Sequence, residues 1–181
     1  LQELSGKTLG VIGLGSIGIR HLDNLIDLGA KDISVVTSKL IEAKYPDVTC
    51  YRSLEDALLA SHPNWVWVCT PTALHEDSLV PLITLNIPNI YVEKPITHSN
   101  ASLERLIEIV RKSQSRICIG YDLRFDPGVA KVRELVSGSA IGKLISVNAY
   151  VGQYLPDWRP AEDYRLGMSA LNSTGGGVML D

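Results

Sequence analysis

The sequence predicts an α/β protein, a doubly wound parallel sheet followed by the start of a second, truncated α/β domain. Three observations predict it. Short β-branched runs alternate with longer segments of helical period between Thr8 and Gly120, the pattern of a parallel sheet covered by helices on both faces. A glycine-rich turn separates the first such run from the first helical segment. After about Asp122 the rhythm changes, and the remaining residues are too few to complete another sheet with its own core.

Thr8 to Ile12 reads as the first strand. Gly18, Leu22, Leu25 and Ile26 then share one helical face, and Gly29 supplies the stop. Further strands come at Ile33 to Thr37, near Thr49 to Tyr51, at Trp65 to Cys69, Ile90 to Val92 and Ile117 to Gly120. Ser53 caps a helix containing Leu54, Ala57 and Leu58, and Ser99 precedes one striped by Leu103, Leu106, Ile107 and Val110. His75 to Leu85 is also helical in pattern, but Pro81 removes a backbone donor within it and should kink it. A helix near Pro127 to Val136 ends at Gly138, and Leu144 to Gly152 alternates like a strand with one solvated face. The expected division is one domain over residues 1–122 and the beginning of another over 123–181.

A formal charge of −3 and 45% hydrophobic residues describe an ordinary soluble globular protein. No basic block marks a nucleic-acid partner, and no apolar run approaches the roughly 20 residues that span a bilayer. Cys50, Cys69 and Cys118 are scattered in strand-like stretches, which fits reduced thiols in a cytoplasmic interior, and no Cys/His cluster suggests a metal.

Gly13, Gly15 and Gly18 have the G-x-G-x-x-G spacing in a strand-to-helix context, with Ser16 and Ile17 opening the helix. The first glycine permits a tight turn, the second lets the backbone approach a phosphate, and the third lets helix and strand pack closely. The helix N-terminus offers free N–H groups to a pyrophosphate. A glycine-rich turn of another α/β fold, or a methyltransferase loop, is the competing reading. The second strand ends in Thr37-Ser38-Lys39 where an acidic residue would take the ribose hydroxyls of NAD. Hydroxyls and an ammonium suit a 2′-phosphate instead, which leans toward NADP(H); a solvated polar turn is the plain alternative. Thr70 and Pro71 end the fourth strand on the ligand edge, and Glu93-Lys94-Pro95 ends the fifth. Partial desolvation there would tune Lys94 for proton exchange with a substrate hydroxyl, although a lone strand-end lysine is more often a surface charge.

Taken together, GLGSIG with Arg20 and His21 behind it, CTPTALH with Thr70, Pro71 and His75, VEKPI with Lys94, Arg124-Phe125-x-Pro127, Ala140-Ile141-Gly142 and the GGGVMLD ending resemble the Gfo/Idh/MocA group of oxidoreductases. The resemblance runs through most of the chain. It implies an N-terminal Rossmann domain that binds NAD(P)(H), and a C-terminal α/β domain whose sheet binds a sugar, cyclitol or nucleotide sugar and forms homo-oligomer contacts. It implies catalytic roles for Lys94 and Asp181, the latter matching an aspartate that commonly precedes a catalytic histidine by four positions. It also implies a cofactor-cleft role for His75 and Glu93. Tyr154 to Pro160, with Trp158 and Arg159, and Asp163 to Arg165 combine aromatic and charged groups suited to such a substrate. A structured loop with satisfied ion pairs is the plain alternative, and the resemblance adds Arg124 to the substrate side. The chain is accordingly expected to be an inactive piece of an NAD(P)-dependent dehydrogenase, with a catalytically silent dinucleotide sensor or partner subunit as the alternative.

Overall fold

The computed structural model describes residues 6–152, 154–158, 163–167, 170–171, 174 and 176–177. Six strands, β1 (Thr8–Ile12), β2 (Asp32–Val36), β3 (Thr49–Tyr51), β4 (Trp65–Val68), β5 (Asn89–Val92) and β6 (Arg116–Ile119), form one parallel sheet in the order β3-β2-β1-β4-β5-β6. The strand order reverses between β1 and β4. The carboxyl ends of those two strands therefore flank the crevice in which open parallel sheets bind ligands.

Side chains alternate across the sheet, so each strand feeds two cores. Leu9 and Val11 of β1 and Ile33 and Val35 of β2 join Leu22 and Leu25 of α1 (Ser16–Asp27) on one face. Ile12, Val66, Val68, Ile90 and Val92 meet Leu79, Leu82 and Ile83 of α3 (His75–Thr84) and Leu106 of α4 (Asn100–Arg111) on the other. Trp65 and Trp67 stack on the first face with ring centroids 5.8 Å apart. Ser53 caps α2 (Leu54–Ala60) by accepting from Asp56 N at 3.0 Å, and Ser99 caps α4.

Contacts divide the chain into two compact units, Leu1–Gly120 with Met168–Asp181, and Tyr121–Gly167. The second unit holds a 3-10 turn at Asp122–Phe125, α5 (Pro127–Ser137) and α6 (Leu155–Trp158). Asp126 caps α5 through Val129 N at 2.9 Å, with Pro127 at the first turn, where its missing N–H costs nothing.

Two expectations change and a third becomes firm. Residues 144–152 form no strand: Ile145 and Tyr150 are 92% and 95% exposed, and no described neighbour pairs with them. A strand without a ladder has nothing to hold its pleat. The helical reading of the segment around Pro81 becomes firm, since α3 runs through Pro81 with Leu79, Leu82 and Ile83 around it buried. Cys118 is exposed rather than interior, since β6 is the sheet edge.

Replacing Leu79, fully buried between α3 and the sheet, with alanine should cost about 2–5 kcal/mol in urea unfolding. Leu59→Ala, at a site 81% exposed, should stay within about 0.5 kcal/mol of the wild type in the same measurement.

Candidate functional site

The glycine turn carries three different constraints. Gly13 has φ +85°, and a Cβ there would lie 2.9 Å from Thr70 N and 3.0 Å from the Cys69 carbonyl, so the β1 exit runs against the β4 exit. A Cβ on Gly18 would overlap the Gly13 carbonyl oxygen and sit 3.3 Å from Cys69 Cβ, which makes this the point where α1 touches the sheet. Around Gly15, by contrast, an added Cβ meets nothing within 4 Å. The first N–H groups of α1 have no intrahelical acceptor, and no side chain caps them. An open cradle at Gly15 below uncapped amides fits a pyrophosphate.

Backbone bonds bring the neighbouring strand ends into line. Cys69 N donates to Ile12 O at 2.8 Å, Glu93 N to Val68 O at 3.0 Å and Gly120 N to Val92 O at 2.8 Å. Thr70 and Pro71 leave β4 at this edge, and the Thr70 Oγ1 atom is buried without a partner among the described residues. That orphaned hydroxyl is a second feature fitting a ligand here.

The end of β5 is held by a cluster that sequence reasoning did not assemble. His21, on α1, lies with Nε2 2.7 Å from Glu93 Oε1, and Tyr91 Oη donates to the same oxygen at 3.1 Å. The His21 and Tyr91 rings meet edge to face at 5.0 Å. Gly120 makes room, since a Cβ there would overlap the Tyr91 hydroxyl. Burial pushes the Glu93 carboxyl up, but the hydrogen bond and charge of His21, with Tyr91 and Lys94 N, outweigh it and hold the group below its ordinary range. Burial and the Glu93 charge raise the Tyr91 hydroxyl, and the same two causes push the Cys69 thiol up to about 12, leaving it unreactive. No local signal pairs the two, since His21 and Glu93 are 72 residues apart in sequence.

The expected residues separate accordingly. Gly13, Gly15, Ser16, Ile17, Gly18, Thr70, Pro71, Glu93 and Lys94 gather at one edge of the first unit, while Thr37, Ser38 and Lys39 lie at the β2 tip beside it. Lys94 is exposed, not desolvated, because it comes after the last paired residue of β5; the Lys94–Pro95 bond is cis. His75 does not face the cleft as a ligand. It is 1% exposed, with its ring nitrogens 2.9 Å from Pro95 O and Thr70 O; the neutral ring donates to one of these carbonyls and packs between the β4 and β5 exits. The Glu93 carboxylate is likewise committed to His21 and Tyr91 rather than open to a cofactor. Arg124 lies in the 3-10 turn of the second unit and Trp158 ends α6, while Arg159 and Asp181 fall outside the described residues.

A cavity of about 820 Å³ lies elsewhere, lined by Asp23, Ile26, Ala30, Lys31, Tyr45 and Val48 near the start of β2. It is remote along the strand from the glycine turn, and phosphate chemistry belongs to the turn. Among the described residues no group of His, Cys, Asp or Glu could hold a metal, and no helix is long and apolar enough to cross a membrane.

Residues 7–121 match the family described as an oxidoreductase family with an NAD-binding Rossmann fold. The chain is 30% identical over 145 residues to an inositol 2-dehydrogenase of Corynebacterium glutamicum, covering 76% of this chain and 43% of that protein. In fold it is similar to myo-inositol 2-dehydrogenase from Lactobacillus plantarum, with TM-score 0.70 and 20% identity over 77% of this chain and 43% of that one. It is also similar to the WlbA dehydrogenase from Bordetella pertussis, a structure in complex with NADH and UDP-GlcNAcA, with TM-score 0.67 and 16% identity over 75% and 43% of the two chains. The chain thus spans about 43% of the length of these relatives.

Gly18→Ala should destabilise the fold by about 1–3 kcal/mol through its clash with the Gly13 carbonyl. Gly15→Ala, in open space at an extended φ of −72°, should change urea stability by less than about 0.5 kcal/mol. The pH dependence comes from His75, whose burial, opposed by its backbone carbonyl partners, lowers its affinity for a proton below the ordinary 6.5. The unfolded chain takes up that proton first as pH falls, so the His75 contribution is complete above 6.5 and declines below it. Urea midpoints measured from about pH 8 to about pH 5.5 should fall in the wild type and fall less steeply in His75→Gln.

Proposed function

We propose, because the chain belongs to the Gfo/Idh/MocA oxidoreductase family and has its NAD-binding Rossmann fold, that it is the cofactor-binding part of an NAD(P)-dependent dehydrogenase acting on a hydroxyl carbon of a sugar, cyclitol or nucleotide sugar. The observation that carries this reading is the common edge shared by the glycine cradle, the orphaned Thr70 hydroxyl and the strand-end Lys94. Gly13, Gly15, Ser16, Ile17 and Gly18 would hold the pyrophosphate, and Thr70 and Pro71 would line the cleft. A bound nicotinamide supplies a hydride acceptor or donor.

Lys94 acts on the substrate hydroxyl, taking its proton when the carbon is oxidised and returning it on reduction. The 2.7 Å hydrogen bond between His21 and Glu93 fixes the backbone from which Lys94 projects. Asp181 assists Lys94, and Arg124, Trp158 and Arg159 contribute to the substrate side, with residues from 123 onward beginning that domain. The C-terminal sheet of the whole protein forms its homo-oligomer. Free Cys50, Cys69 and Cys118 fit a reducing, cytoplasmic setting. The tip Thr37-Ser38-Lys39 leans the cofactor toward NADP(H).

In the full-length protein, Lys94→Ala should lower kcat by roughly 100-fold or more while leaving the dissociation constant of the reduced cofactor within about twofold. Steady-state kinetics and cofactor titration on the same preparation check this. Unchanged kcat would remove the lysine from the mechanism.

A further inference from the structure

We propose that the β2 tip is a binding site for the 2′-phosphate of NADP(H), and that Arg52, which motif reading does not single out, determines this specificity. The proposal rests on the dinucleotide-binding function proposed for this edge. In that reading the adenine ribose falls at the carboxyl end of β2, next to the glycine turn on β1, which Gly13 N joins by donating to Val36 O at 3.0 Å.

The tip lacks the carboxylate that would accept two ribose hydroxyls. Thr37 stands there instead, buried, with its Oγ1 accepting from Lys39 N at 3.1 Å, while Ser38 and Lys39 are exposed. β3 pairs in parallel with β2, Val36 opposite Tyr51, and Thr37 N donates to Tyr51 O at 3.0 Å. The residue that leaves β3 is Arg52, so the register delivers its guanidinium to the tip. Arg52 Nη1 donates to Thr37 O at 3.2 Å and to Lys39 O at 3.1 Å.

Both bonds use Nη1, and the Nε and Nη2 donors make no hydrogen bond among the described residues. Glu42 Oε1 stands 3.9 Å from Nη2 with both side chains about half exposed, a solvated pair that holds the guanidinium only weakly. An arginine anchored on one nitrogen, with its other donors in a planar fork, matches a phosphate bidentately. Lys39 adds a second cation and Ser38 a hydroxyl. A free 2′-hydroxyl supplies no anion to answer this set, so the site discriminates by charge.

The test is titration of the 181-residue chain with NADPH and with NADH, monitored by nicotinamide fluorescence, with circular dichroism to confirm folding. The wild type should bind NADPH at least ~10-fold more tightly than NADH, as charged hydrogen bonds to one phosphate imply. Arg52→Gln should abolish that preference and leave NADH binding unchanged, and Arg52→Lys should retain part of it. Should Arg52→Gln fail to fold, Lys39→Gln, at an exposed position, should still weaken NADPH selectively. Equal or tighter binding of NADH by the wild type overturns the phosphate site and leaves the dinucleotide reading standing. Equal weakening of both nucleotides by Arg52→Gln reduces Arg52 to a brace of the turn and also overturns the proposal. Binding of neither nucleotide overturns the dinucleotide reading itself.

Discussion

The contact on which the rest of the structure depends is the van der Waals approach of α1 to the β1 and β4 exits at Gly18. With no Cβ there, the helix meets the Gly13 carbonyl and Cys69 directly. That approach sets the depth at which Leu22 and Leu25 enter the first core, and both are buried. It also sets where the uncapped amides of the helix end, directly over the reversal in strand order. Stability and ligand chemistry therefore draw on one distance, and a side chain of any size at Gly18 would disturb both together.

A polar contact fixes α1 a second time. The Gly18 contact joins the helix to β4, and the 2.7 Å pair of His21 with Glu93 joins it to the end of β5. Glu93 is partly withdrawn from water, which alone would favour its neutral form, yet three kinds of donor keep it anionic. A charge held in this way is directional, as a hydrophobic contact is not. The helix can neither slide along the sheet nor rotate about Gly18 without breaking it. His75 packs between the loops, its ring nitrogens against Thr70 O at the β4 exit and Pro95 O at the β5 exit, one of them donating.

The sheet was legible because each of its strands carries a local signature, and the glycine turn because Gly13 and Gly18 each have a backbone reason to be glycine. The caps at Ser53 and Ser99 were legible for the same reason, since a cap is a bond made within four residues. What depends on long-range pairing was not. His21 and Glu93 are 72 residues apart, and nothing local to either announces the other. Arg52 lies beside Thr37 only through the β2–β3 register. His75 was noticed as a motif member, but burial reversed its expected role from lining a cleft to bracing one. Residues 144–152 show the opposite failure: the alternation is there, and no partner strand is among the described residues.

The Thr70 hydroxyl has a consequence for how tightly anything can bind at this edge. Among the described residues this buried hydroxyl has no partner, and a buried hydroxyl in that state is worth about 1–3 kcal/mol to whatever group satisfies it. Its water has already been stripped by folding, so an incoming group that hydrogen bonds to it incurs dehydration on one side only. The atom is in this sense preorganised for association, and occupancy of the cleft would raise the melting temperature of the sheet behind it.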